Sequence, residues 1–144
     1  IEKQLTSVAK QNETCKRLLD IPCVGPLIAT AAVATMGEAS AFKSGREFAA
    51  YVGLVPRQTG SGGKIRLLGI SKRGDTYLRT LFIHGARAAA LLTKEPGLWI
   101  TELKKRRPVG VATVAMANKL ARTVWAIAAH GRKYDKEYVS IRSY

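Results

Sequence analysis

Asp20-Ile21-Pro22-Cys23-Val24-Gly25-Pro26 decides how this chain folds. Two prolines and a glycine inside residues 22–26 cannot continue a helix. Helix-like sequence lies on both sides, so two helices must meet here in a compact turn. Pro26 suits the first turn of the second helix, where its missing N–H costs nothing. Leu27 to Met36 is apolar and rich in Ala, and Gly37 ends it. Upstream, Ile1, Leu5, Val8, Asn12, Cys15 and Leu19 follow one another at spacings of 4, 3, 4, 3 and 4. That spacing predicts one amphipathic helix, packed on its own domain or forming the stump of a coiled coil with Asn12 as a polar seam residue.

Downstream, Ser44-Gly45-Arg46-Glu47 fits a capping box and predicts a short helix through about Val52, with Phe48, Ala49 and Val52 on its inner side. Residues 57–64 contain three glycines in four positions, Gly60 to Gly63, and hold no helix. Ile65 to Ile70 suits a short extended piece. A strong helix then buries Leu78, Leu81, Phe82, Gly85, Ala89 and Leu92, with Arg79, Ile83 and Arg87 on another face. Pro96 breaks the pattern, and a shorter helix runs from about Leu98 into Lys104-Lys105-Arg106-Arg107. The last helix, from about Val111 to Ala129, is apolar nearly all round through Val111, Val114, Ala115, Leu120, Val124, Trp125 and Ala128. Such a helix belongs at the centre, and Gly131 can cap it. The fold predicted is mainly α, with about six helices, a glycine-rich basic loop and one short extended segment. Residues 1–19 form the coiled-coil or linker helix, 20–131 the main domain, and 132–144 a basic, partly disordered tail.

Composition narrows the function. Lys and Arg number 24 against 10 Asp and Glu, a formal charge of +14. A folded domain this basic repels itself and calls for a polyanionic partner, with nucleic acid the first candidate. No apolar run is long enough to span a bilayer, no signal peptide is present, and no basic amphipathic helix with bulky anchors suits a membrane surface. Cys15 and Cys23 have no partner set at zinc spacing, and His84 and His130 stand alone, so no metal site is predicted. The chain opens on Ile1 rather than Met, which predicts sequence upstream of it.

Two segments carry chemistry. The turn at Pro22–Pro26 resembles the hairpin of a helix-hairpin-helix motif, whose backbone N–H groups bind a DNA phosphate at the next helix start. The motif has Gly where this chain has Cys23, so either the turn differs or Gly25 alone supplies the tight conformation. A plain αα-hairpin turn is the alternative. The second segment, 57–75, holds Arg57, Lys64, Arg66, Lys72 and Arg73, and Arg79 follows one turn into the next helix. Ser61 sits among the glycines. Cations around an open hydroxyl suit an enzyme that forms a phosphoserine ester, because they neutralise the non-bridging oxygens. No local base for the serine is evident, and a flexible loop residue is the plain alternative.

Taken together, several pieces resemble the C-terminal domain of insertion-sequence transposases of the IS110 type, most closely the IS1111 subgroup. They are Ile21-Pro22 with Val24-Gly25-Pro26, Phe42-Lys43-Ser44, Ala50 to Gln58, Ser61-Gly62-Gly63-Lys64, Ile70 to Asp75, Leu78-Arg79-Thr80-Leu81 and His84-Gly85-Ala86-Arg87. The resemblance covers more than half the chain. It implies a bacterial, cytoplasmic DNA recombinase that pairs a RuvC-like N-terminal domain with this C-terminal one. The former holds carboxylates that bind Mg²⁺, and the latter supplies a serine nucleophile. It also implies a structured guide (bridge) RNA, a DNA partner and a homo-oligomeric full-length enzyme. By position Ser61 matches the nucleophile, with Ser71 the second choice. Gly25, Arg57, Lys64, Arg66, Lys72, Arg73 and Arg79 are then the DNA-binding set. The carboxylates are scattered from Glu2 to Glu137, so this fragment carries no cofactor and lacks the metal centre. Two other functions fit the residues: a non-enzymatic helix-hairpin-helix module in which Ser61 is dispensable, and an RNA-binding domain reading a structured guide. Few aromatics lie in the basic loop, which argues against a base-stacking platform there.

Overall fold

The first segment is helical but comes in two pieces. In the computed structural model, which describes residues 2–61, 64–70, 74–92 and 98–135, α1 (Glu2–Gln11) stops at Asn12 and α2 (Glu13–Leu18) starts afresh. Asn12 has extended angles (φ −105°, ψ 124°), and its side chain accepts the Cys15 N–H at 3.0 Å. It is a helix cap, which corrects its reading as a seam residue inside one continuous helix. An Asn here satisfies an amide that a new helix start would leave bare. The break lets α1 pack against α3 (Pro26–Met36), and Ala9, Cys15 and Leu18 join the main core. Burial pushes the Cys15 thiol above its ordinary range.

The local signals downstream hold. Pro26 opens α3 and Gly37 closes it. A 3₁₀ turn, Ala39–Ala41, leads to α4 (Gly45–Val52), where the Ser44 hydroxyl accepts the Glu47 N–H at 3.2 Å. Gly53 ends α4, and Phe48, Ala49 and Val52 are its buried face. Residues 56–61 and 64–70 are not helical, and the extended piece expected at Ile65 to Ile70 has a partner strand. β1 (Pro56–Ser61) and β2 (Lys64–Ile70) pair antiparallel into a two-stranded ribbon on an otherwise helical protein. Gly62-Gly63, the segment Ser71-Lys72-Arg73, Pro96 and the tail from 136 onward lie outside the described residues.

Asp75 starts α5 (Thr76–Arg87) by accepting the Leu78 N–H at 2.8 Å. Leu78, Phe82, Gly85 and Ala89 are buried as predicted, and Leu81 is half-buried. A π-helical turn, Ala88–Leu92, follows α5. Then come α6 (Leu98–Arg106) and α7 (Val109–His130), which Gly131 caps. α7 is central: it touches α2, α4, α5, α6 and the 3₁₀ turn. Leu120, Val124 and Trp125 lie in the core, while Val111, expected there, is 54% exposed. The first turns of α7 run past the main core and have α6 beside them instead. Phe48 meets Phe82 and Phe42 edge-to-face across the core, and the Trp125 indole donates to the Ala39 carbonyl at 3.0 Å. No helix among the described residues is long and apolar enough to cross a membrane.

Candidate nucleic-acid interface

Pro22 and Cys23 form the tip of the turn between α2 and α3. The Val24 N–H donates to the Ile21 carbonyl at 3.1 Å, which closes a four-residue turn. Ile21 and Val24 are buried at its base, and Pro22 and Cys23 are exposed at its tip. Proline at the second position and a left-handed residue at the third is the pattern of a type II turn. That third residue is Cys23, with φ 66°, the one non-glycine residue at positive φ among those described. Gly25, by contrast, is extended (φ −92°, ψ −177°) and caps α3. Gly25 therefore does not supply the tight conformation: Cys23 adopts the backbone shape that favours glycine. No side chain caps α3. The turn is seated on α5 at Gly85, where a Cβ would stand 3.1 Å from the Cys23 carbonyl oxygen.

The ribbon is the second part of the interface. Its register pairs Ser61 with Lys64, Gly60 with Ile65, Thr59 with Arg66 and Gln58 with Leu67, and an irregularity lies between Pro56 and Gln58, at Arg57. Lys64 is thus the partner of Ser61 across the ribbon, and Arg66 lies two residues further along β2, opposite Thr59. Ser71, Lys72 and Arg73 belong to the segment outside the described residues.

A two-stranded ribbon has little stability of its own, and here the helices hold its root. The Leu54 carbonyl accepts from the Asn118 side chain of α7 at 3.0 Å. The Val52 carbonyl accepts from the Arg79 guanidinium of α5 at 3.4 Å. Just before α5, Gly74 (φ 87°) lies so close to α4 that a Cβ would run into the Tyr51 carbonyl. Arg79 also reaches the Thr76 hydroxyl at 3.4 Å and is half-buried. Its guanidinium thus has partners within the protein. Asn118 was not found from sequence, because nothing local distinguishes it from any other polar residue on a helix.

The described residues do not fit a metal site: no three His, Cys, Asp or Glu side chains come together.

Residues 15–98 match the model of the transposase IS116/IS110/IS902 family. That span includes the turn, α4, the ribbon and α5. The chain is 48% identical over 131 residues to a probable family 20 transposase of Pseudomonas aeruginosa, covering 88% of this chain and 39% of that protein. It is 46% identical over 137 residues to the transposase for insertion sequence element IS1111A of Coxiella burnetii, covering 92% and 38%. It is 39% identical over 140 residues to the transposase for insertion sequence element IS1328 of Yersinia enterocolitica, covering 94% and 42%. The chain thus spans about two fifths of the length of these relatives.

Proposed function

The chain belongs to the IS116/IS110/IS902 family of transposases, and from that premise we propose that it is the C-terminal, DNA-handling and nucleophile-bearing part of a DNA recombinase. The observation that supports this reading is the ribbon register, which pairs Ser61 with Lys64 and Thr59 with Arg66. In the full-length enzyme the Ser61 hydroxyl oxygen attacks a DNA phosphorus. An Oγ–P bond forms as a P–O bond to deoxyribose breaks, and the hydroxyl proton ends on the departing oxygen. The number of phosphoester bonds is unchanged, so the strand can be rejoined without an outside energy source. Lys64 and Arg66 offset the charge that gathers on the non-bridging oxygens. Arg57, Lys72, Arg73 and Arg79 are the other cations that bind the DNA backbone. The backbone at Gly25 and the uncapped start of α3 offer N–H groups to a second phosphate. Carboxylates that bind Mg²⁺ and the contacts to a guide RNA belong to the full-length protein, and the chain works there as one subunit of an oligomer.

The test is a covalent adduct assay on the full-length transposase with Mg²⁺, guide RNA and DNA. Ser61→Ala is expected to abolish the phosphoserine adduct and strand exchange. Its DNA affinity should stay within about threefold, since one neutral hydroxyl contributes little beside so many cations. A Ser61→Ala enzyme that still forms the adduct sinks the assignment. Loss of the adduct in Ser71→Ala alone moves it to Ser71.

A further inference from the structure

The core does not account for where Trp99 lies. Trp125 is buried with its indole N–H satisfied, but Trp99 is 42% exposed. Its neighbour Ile100 packs inward with Ala90 and Ala112, so α6 rests on the π-helical turn and α7. The Lys119 ammonium, from α7, stands 4.3 Å from the centre of the Trp99 ring. Leu103 and Arg106 follow Trp99 at i+4 and i+7 and share its side of α6, and Arg107 comes next. Arg106 and Arg107 are exposed and form no ion pair among the described residues. The carboxylate on this side, Glu102, is paired with Lys105 at 3.2 Å. The Lys104 ammonium donates to the Ala90 carbonyl at 2.7 Å and ties the last turn of α6 to the turn after α5. Cations in a last helical turn also complement the helix dipole. That explains the charges, but not a half-exposed indole with an ammonium against it.

We propose that Trp99, Lys119 and the basic end of α6 form a stacking site for an unpaired nucleobase. An aromatic ring at a surface can take a base that is out of its stack, so the ligand is single-stranded nucleic acid. Every base has a π-face, so the site tolerates sequence. Trp99 and Arg106 lie about 10 Å apart along the helix axis, at 1.5 Å per residue, which lets Arg106 and Arg107 meet phosphates flanking the stacked base. An unpaired DNA strand and an unpaired RNA segment offer this same chemistry.

The test uses this chain with short oligothymidylate, oligouridylate and duplex DNA of equal length, and with variants checked for folding by thermal melting. Both single strands are expected to quench tryptophan emission in the wild type. In Trp99→Phe, which keeps only the buried Trp125, the quench disappears while most of the affinity stays. Trp99→Ala should weaken single-strand binding about tenfold and leave duplex affinity nearly unchanged. The tighter of the two oligonucleotides tells whether the strand is DNA or RNA. Should Trp99→Ala fail to fold, Arg106→Gln carries the test, with a several-fold loss toward single strands expected. Unchanged single-strand affinity in the folded variant overturns the proposal, as does an equal loss for duplex. A changed sedimentation coefficient with unchanged oligonucleotide affinity also overturns it, and makes the patch a protein interface. None of these readouts involves Ser61, so the stacking site and the nucleophile assignment fail independently.

Discussion

Cys23 holds a conformation that an L side chain takes only at a cost, because its Cβ crowds the following carbonyl. Replacing it with glycine removes that strain, about 1–2 kcal/mol, and adds back about 0.5–1 kcal/mol of chain entropy. Cys23→Gly is therefore expected to stabilise the fold by roughly 0.5–1 kcal/mol in urea unfolding. A loss of stability would mean that contacts of the cysteine side chain outweigh its strain. Gly25 presents the opposite case. Its φ is ordinary, and a Cβ there would meet nothing within 4 Å. Gly25→Ala should fold with a stability change under about 1 kcal/mol, which makes it a clean probe. If phosphate lies against this backbone, the methyl group should weaken duplex binding several-fold. Normal binding by the folded variant would remove the turn from the interface. The sequence marked Cys23 as the odd residue of the motif. Which of Cys23 and Gly25 bends was not readable, because one Pro-flanked segment permits both until Ile21 and Val24 are pinned in the core.

Elements with local signals at their ends were legible: Ser44 and Gly53 bound α4, Pro26 and Gly37 bound α3, and Gly131 ends α7. The break at Asn12 was not, since an asparagine suits a coiled-coil seam and a helix cap equally; packing of α1 on α3 decides between them. Of the ribbon, the second strand is legible as the extended piece Ile65 to Ile70, whereas the first reads as a loop because Gly, Gln and Arg are poor strand formers. The ribbon's pairing depends on register, and its support comes from far along the chain, as with Leu54 and Asn118. That support is testable. Asn118→Ala leaves the Leu54 carbonyl without its donor and should cost about 1–2 kcal/mol. Local opening should concentrate at the root, so amides of Gly53 to Leu54 and of both strands should exchange faster than those of buried α7 turns. Uniform acceleration across the chain would show that Asn118 supports the whole fold and has no special hold on the ribbon.

On the scale of the whole molecule, the excess of cations acts on folding and on binding with opposite sign. Lys and Arg outnumber Asp and Glu 24 to 10, so most cations have no carboxylate to pair with, and ion pairs such as Lys16–Glu13 and Lys105–Glu102 join exposed side chains one helical turn apart. Such pairs contribute little. The free protein thus carries self-repulsion, which added salt screens. Binding to duplex DNA draws on the same charges, but there salt competes with the release of counterions from the DNA. If about six phosphates are contacted, raising salt from about 50 to 200 mM should weaken binding by roughly a thousandfold. Over the same range the urea midpoint of the free chain should hold steady or rise. These two responses separate the electrostatic reading from its rivals. Binding dominated by an apolar contact would leave affinity nearly flat in salt. A protein that merely came apart at higher salt would lose affinity and stability together. Affinity falling while stability holds is the outcome that a backbone-tracking nucleic-acid interface requires, and a flat salt response in binding would remove the charge argument for it.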